Sequence, residues 1–346
     1  MKVRVFTHPI MYLGGGEIQF LETADALRRK GVDVITTPAY KGPPPDIVHL
    51  FGPHGSLYKG IVDYCIDAGI PYVVSTIYAS TGTSPLRRTH RKLMVSLMRN
   101  GRTSRLLQGR YKWLPELMRG ANLLLPNTIA EQELVLDTFR FLDADKFEII
   151  PNAVERKFLH SKGNLFNERY LPEGDFVLNV ARLEPRKNQL TLIRAAKKFG
   201  FKLIIIGDLS VDPAYVKMCR DEAVNADVSF LGPVTHDDPL LASAYAASHV
   251  FCLPSREETP GIAALEAFLA GANIVITKYG GAEQYLGSNA SYIDPYDVDD
   301  LGKAILSKLN SKRPAQSDRE ALANKYDWDA VAEKTLHVYK TLLGER

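Results

Sequence analysis

The chain has 346 residues, of which 45% are hydrophobic and 24% charged, with a formal net charge of +3. That length is too great for one ordinary core and suits two α/β domains of roughly 150–180 residues each. The small charge excess gives no footing for nucleic-acid binding, and three scattered cysteines (Cys65, Cys219 and Cys252) without a CxxC pair argue against a disulfide framework or a zinc site. Cys65 and Cys252 lie in apolar runs and read as buried thiols.

Met1-Lys2-Val3-Arg4-Val5-Phe6 alternates like a strand and lacks the apolar stretch of a secretory leader. No run approaches the roughly 18 apolar residues that span a bilayer. The expected setting is cytoplasmic, with attachment to the inner face of a membrane left open. Strands are predicted at 3–7, 32–36, 47–50, 71–76, 122–125 and 147–150. Between them, Ile18, Leu21, Ala24 and Leu27 keep helical spacing over 17–30, and Lys30-Gly31 supplies a terminal cation and a glycine cap. The second half repeats the pattern, with strands predicted at 176–180, 202–207, 228–230, 249–253, 273–277 and 291–293 and a helix over 188–198. Alternation of β and α at this spacing predicts parallel, doubly wound sheets. The boundary is placed near Ile150-Pro151-Asn152-Ala153, giving an N-terminal domain over 1–155 and a C-terminal domain over 156–326.

Three segments carry chemistry. Gly14-Gly15-Gly16-Glu17 falls between the first strand and first helix, where backbone N–H groups and a helix start can meet a phosphate. It is not a GxGxxG fingerprint, and taken alone it is equally well a flexible turn. Arg182-Leu183-Glu184-Pro185-Arg186-Lys187-Asn188 follows the first strand of the second half, and Arg182 and Lys187 there can neutralise a diphosphate leaving group. Pro254-Ser255-Arg256-Glu257-Glu258-Thr259-Pro260-Gly261-Ile262-Ala263-Ala264-Leu265-Glu266-Ala267 follows the strand ending at Leu253. Its Pro260-Gly261 marks a helix start whose free N–H groups face an anion. Glu266, among Ile262, Leu265, Phe268 and Leu269 on a largely buried helix, needs hydrogen-bond donors, and sugar hydroxyls are suitable ones.

Two carboxylates eight residues apart with an upstream Arg-x4-Lys resemble the large retaining GT-B glycosyltransferases of family 4 (glycosyl transferases group 1). The resemblance covers nearly the whole chain. It also includes Ile150-Pro151-Asn152-Ala153-Val154, Gly280-Gly281-x-Glu283, and Tyr326-Asp327-Trp328-Asp329 before a final helix at about 327–342. It implies an α/β, GT-B fold: two Rossmann-like domains facing across a cleft, with the last helix returning to the first domain. It implies a retaining hexosyl transfer from a nucleoside diphosphate sugar, UDP or GDP first among the bases, to a hydroxyl of a glycan or lipid-linked acceptor in surface polysaccharide or glycolipid synthesis. Arg182 and Lys187 would then contact the diphosphate, Glu258 the donor-sugar hydroxyls and Glu266 the ribose. Backbone around Gly261-Ile262 would help bind phosphate or sugar, and Gly15-Gly16 would close on the donor. No metal and no further cofactor is implied, since basic side chains and helix ends take the metal's part. The leaving phosphate can accept the acceptor's proton in a front-face mechanism.

Many relatives carry a histidine after the fourth N-terminal strand, where this chain reads Pro71-Tyr72-Val73-Val74-Ser75-Thr76-Ile77-Tyr78. Ser75, Thr76 or Tyr78 are alternative polar contacts for the cleft, as are His49 and His54. Two rival functions are a GT-B nucleotide-sugar epimerase, which needs acid/base groups in another arrangement, and a non-catalytic sugar-nucleotide binding subunit, against which the intact Arg182, Lys187, Glu258 and Glu266 argue. Residues 87–112 hold nine basic residues and no Asp or Glu, interleaved with Leu, Met and Trp113. Such a segment suits an anionic membrane surface or a lipid-linked phosphate. Replacing Arg99, Arg102 and Arg105 together with Glu is expected to abolish sedimentation with anionic vesicles; unchanged sedimentation would remove the membrane contact.

Overall fold

A computed structural model describes residues 1–8, 15–37, 42–78, 113–170, 172 and 174–345. The basic segment with Arg99, Arg102 and Arg105, and Gly14, lie outside the described residues. The chain forms two compact units, one made of residues 1–153 with the segment from Trp328 onward, the other of Val154–Asp327.

The first unit runs β1 (Lys2–Phe6), α1 (Gly15–Arg29), β2 (Asp33–Ile35), β3 (Ile47–Phe51), α2 (Gly55–Ala68), β4 (Tyr72–Ser75), α3 (Leu114–Gly120), β5 (Leu123–Leu125) and α4 (Ile129–Thr138). Its five strands are all parallel, in the order β2-β1-β3-β4-β5. The residues of β3 and β4 are buried throughout, as expected of strands covered on both faces. Helix α1 stops before Gly31, which takes a left-handed φ of 81°. The strand expected at 147–150 does not form. Phe147 makes only an isolated bridge to Leu124, with Glu148 N–H donating to Leu124 O and Ile150 N–H to Pro126 O. Pro126 has no N–H with which to return the bond, so the ladder cannot propagate.

The C-terminal helix (Trp328–Leu342) packs along α1. Trp328, Val331 and Tyr339 join Phe20, Leu27 and Phe51 in one core, and Arg29–Asp329 (2.7 Å) and Lys30–Glu333 (2.5 Å) pair at its rim. His49 of β3 lies inside this core. Its Nδ1 is 2.6 Å from the Tyr339 hydroxyl, its Nε2 is 2.8 Å from Ser75 Oγ, and its ring stacks on Phe51.

The second unit runs α5 (Asn164–Tyr170), β6 (Val177–Val180), α6 (Gln189–Phe199), β7 (Leu203–Ile206), α7 (Pro213–Glu222), β8 (Val228–Phe230), α8 (Pro239–Ala247), β9 (Val250–Leu253), α9 (Ile262–Leu269), β10 (Asn273–Thr277), α10 (Ala282–Leu286), β11 (Ala290–Ile293), α11 (Val298–Leu309) and α12 (Gln316–Lys325). Its six parallel strands are ordered β11-β10-β9-β6-β7-β8. One face is filled by Leu178, Phe251, Leu265 and Phe268, the other by Val177, Leu192, Ile205 and Leu301. Asp212, Asp238 and Asp297 cap the starts of α7, α8 and α11 through their side chains. All three cysteines are buried and free. Among the described residues, no helix is long and apolar enough to cross a membrane.

Burial pushes the His49 imidazole down to about 3. The unfolded chain takes up a proton there below about 6.5 while the folded chain does not, so stability falls as the pH drops through that window. Urea denaturation from pH 7 to pH 4 is expected to show this loss, and His49→Gln to flatten it. An equal slope in the variant would mean that His49 is not the group responsible.

Candidate functional site

In the second sheet the strand order reverses between β6 and β9, which run side by side. Ligands of open α/β sheets bind outside the carboxyl ends of strands at such a point. The ladder there is short: Val177 pairs with Val250 and Leu178 with Phe251, after which the Asn179 side chain donates to Cys252 O at 2.8 Å. The two strands therefore hand directly into the two loops that the sequence singled out.

The loop after β6 is held by its own residues. Gln189 Nε2 donates back to Arg182 O at 3.0 Å. Asn188 sits in the left-handed region (φ 60°) and donates to Pro254 O at 3.1 Å and Pro295 O at 2.6 Å, tying together the loops after β6, β9 and β11. Arg256 N–H donates to Arg186 O at 2.9 Å. Gly207 is required at the end of β7, because a Cβ there would lie 1.9 Å from Ala181 O.

Opposite, the loop from Pro254 presents Glu258 on a rigid backbone. Its N–H donates to Tyr279 O (3.1 Å) and its carbonyl accepts from Gly281 N–H (2.9 Å). Gly280, at φ 105°, approaches so closely that a Cβ would lie 2.0 Å from Glu258 O, which explains the Gly280-Gly281 pair. The Thr259–Pro260 bond is cis. Gly261, at φ 82°, caps α9 without a side-chain partner, so the first turn from Ile262 offers backbone N–H groups.

The two loops meet in an ion pair. Lys187 Nζ is 2.5 Å from Glu258 Oε1, and Arg186 is 3.9 Å from the same oxygen. Both side chains of the pair are largely buried. Burial raises the Glu258 carboxyl, but the charges of Lys187 and Arg186 override it and hold the group below the usual carboxylate range. Burial likewise draws the Lys187 ammonium down, against the pull of Glu258. Arg182 is 36% exposed and lies 3.8 Å from Glu184, and Arg186 beside it is 45% exposed, so both guanidiniums of the loop are accessible while Lys187 is largely buried.

Glu266, in the second turn of α9, is almost fully buried and already engaged. His236 Nε2 is 2.7 Å from its Oε1, and the Tyr245 hydroxyl donates to its Oε2 at 2.9 Å. Neither partner was foreseen from the sequence. His236 stands thirty positions upstream, in the loop after β8, and its only signal is that this loop too leaves the carboxyl edge of the sheet.

In the first sheet the order reverses between β1 and β3. Gly15 and Gly16 open α1 after β1, and Gly16 lies against Ile77 at ordinary contact distance. His54 follows β3, its ring 4.8 Å from that of His8, whose Nε2 is 2.9 Å from Glu17. Glu17 closes the glycine segment that the sequence singled out, whereas His8 was not foreseen. The other cleft candidates lie inside: His49 and Ser75 bond to each other, Thr76 donates to Glu131, and Tyr78 is buried with its N–H on Glu131 Oε1. They are core positions because the carboxyl ends of β3 and β4 are covered by α4 and the C-terminal helix.

Residues 163–326 match the family described as Glycosyl transferases group 1. The match covers almost the whole of the C-terminal unit. A D-inositol 3-phosphate glycosyltransferase of Acidothermus cellulolyticus is 27% identical over 251 residues, covering 67% of this chain and 56% of its own. A phosphatidyl-myo-inositol mannosyltransferase of Mycobacterium tuberculosis is 30% identical over 221 residues, 59% of this chain and 56% of its own. The chain thus spans little more than half the length of these curated relatives. The structure of Anabaena HepE with UDP-glucose superimposes with a TM-score of 0.76 at 18% identity, over 99% of this chain and 100% of that one. Sucrose-phosphate synthase of Thermosynechococcus elongatus gives 0.73 at 17% identity over 99% of each. These likenesses show a GT-B fold with two Rossmann-like units.

Within this unit the Lys187–Glu258 pair is testable as a pair. Lys187→Met leaves a buried carboxylate without its main partner and is expected to cost roughly 3–5 kcal/mol in urea denaturation. Lys187→Met combined with Glu258→Gln is expected to recover part of that loss; strictly additive effects would mean the two side chains are not coupled.

Proposed function

We propose that the chain is a glycosyltransferase that moves a sugar, with retained anomeric configuration, from a nucleoside diphosphate sugar to a hydroxyl of a glycan or lipid-linked acceptor. The observation that carries this reading is the convergence of Arg182, Lys187, Glu258 and the α9 start on the two loops of one switch point. A dissociating diphosphate develops negative charge that fixed cations and helix N–H groups stabilise. Arg182 and Lys187 serve that charge, and the N–H groups beyond Gly261 add to it without a metal being required. The match of residues 163–326 to group 1, and the solved complex of HepE with UDP-glucose, support a nucleotide sugar as the donor.

In this reading the Lys187–Glu258 pair is the resting state of the site. An arriving diphosphate competes for the Lys187 ammonium and frees a Glu258 oxygen to accept hydrogen bonds from donor-sugar hydroxyls. Glu266 accepts from the ribose. Transfer breaks the C1–O bond to the diphosphate and forms one from C1 to the acceptor oxygen on the same face, the departing phosphate oxygen taking the acceptor's proton. The side chain of Glu258 then has no proton to move, which agrees with an environment that keeps it ionised. Gly15 and Gly16 are assigned to the donor, and His54, at the first sheet's own switch point, to the acceptor. The inositol-linked acceptors named for two relatives support an acceptor rich in hydroxyls. Hexose as the transferred sugar, surface polysaccharide or glycolipid as the product, and peripheral contact with an anionic membrane belong to the same proposal.

Thermal shifts with UDP, GDP, ADP and dTDP, measured without added metal, test the donor assignment. One nucleotide is expected to raise Tm selectively, by the mass action of binding to the folded state, and Arg182→Ala to abolish that rise. No shift with any of the four, in a protein that is folded, would overturn the reading.

A further inference from the structure

The ring of His236 stands between two carboxylates. Its Nε2 is 2.7 Å from Glu266 Oε1, and its Nδ1 is 3.4 Å from Glu155 Oε1 and 3.8 Å from Asp237 Oδ1. Carboxylates only accept hydrogen bonds, and a neutral imidazole has a single N–H, so either tautomer turns a lone pair toward one of them. Only the imidazolium can donate to both. The edge of Phe158 closes one side of the ring, and the position is largely buried. The other groups facing it are Tyr245 from α8, which donates to Glu266 Oε2, and Lys157, whose ammonium is 2.9 Å from Glu155 and 3.3 Å from the exposed Asp237.

We propose that His236 is a positioning residue for the donor nucleotide, clamping the Glu266 carboxylate for the ribose most firmly while the ring is an imidazolium and less firmly once it has a single N–H to share. This rests on the assignment of Glu266 to the ribose. Each carboxylate oxygen has two lone pairs. With one lone pair of Oε1 committed to His236 and one of Oε2 to Tyr245, the carboxylate plane is fixed, and the two remaining acceptor directions form a ready-made pair for a vicinal diol. Loss of the proton leaves one N–H for two carboxylates, so the charge-assisted bond to Glu266 Oε1 becomes a weaker neutral one or gives way to Glu155. Burial by itself lowers the imidazole's proton affinity, but the hydrogen bond and charge of Glu266, helped by Glu155 and opposed by Lys157, carry it above its ordinary value. The clamp therefore loosens as the pH rises through that raised value.

Calorimetric titration of the full chain with UDP and with GDP, from pH 6 to pH 9, separates the possibilities. Wild type is expected to lose about tenfold in affinity across that range, the scale of one hydrogen bond to a charged group. His236→Gln retains an N–H near the Nε2 position and cannot titrate; it is expected to bind with a flat profile. His236→Phe removes the donor and is expected to bind about tenfold more weakly even at pH 6. Imidazole nitrogen NMR of the wild type reads the ring directly, whatever the variants do to folding: both His236 nitrogens are expected to be protonated at the acid end of the range and to titrate in step with affinity. A His236 that titrates while affinity stays constant, or a folded His236→Phe that binds as wild type, overturns the proposal and leaves the donor assignment standing. A wild type that binds neither nucleotide, or a Glu266→Gln that binds both unchanged, overturns the donor assignment itself and the proposal with it.

Discussion

The ion pair between Lys187 and Glu258 is the constraint around which the C-terminal edge is built. Two opposite charges with little exposure are tolerable only if they meet in good geometry and keep other partners. Meeting requires the loops after β6 and β9 to be fixed relative to one another within a fraction of an ångström. The surrounding devices do this through backbone. Asn188 takes a left-handed turn to reach two carbonyls of neighbouring loops. Gly280 lets a third loop lie against Glu258 with no side chain in the way. Gly207 does the same beneath the start of the cationic loop.

This division of labour explains the residue types along the edge. Charged side chains carry the chemistry, while amide side chains and glycines set the spacing. Arg182, whose guanidinium is partly exposed, is braced through its carbonyl by Gln189. Its charge stays accessible while its backbone does not drift. In the proposed transfer, groups held on such a frame need little reorganisation when charge develops in the transition state.

Much of this was legible in the sequence, and the parts that were not share a cause. Period-two and continuous apolar runs marked all eleven strands of the described residues and one run that forms none, and Gly261 and Gly31 marked helix ends, because these signals are local. The run at 147–150 misled because its ladder depends on Pro126 in another segment. Arg182, Lys187, Glu258 and Glu266 stood out by spacing within short motifs. His236 did not, since its meaning comes only from the fold that brings the loop after β8 against α9. His49 and Ser75 looked like polar groups at strand ends, yet they satisfy one another under Tyr339, a partner 290 residues along the chain from His49. Polar residues that answer distant partners read as functional until the partner is found.

The return of the C-terminal helix to the first unit bears on the order of events during synthesis. Phe20, Leu27 and Phe51 share a core with Trp328, Val331 and Tyr339. A ribosome releases the first unit's strands long before it releases that helix, and in the interval His49 lacks the Tyr339 hydroxyl and α1 lacks its apolar cover. Residues 154–327 are contiguous and can collapse on their own contacts as they emerge. The earlier-made half is thus the later-finished one, and a chain interrupted after Asp327 would expose its first core rather than its second.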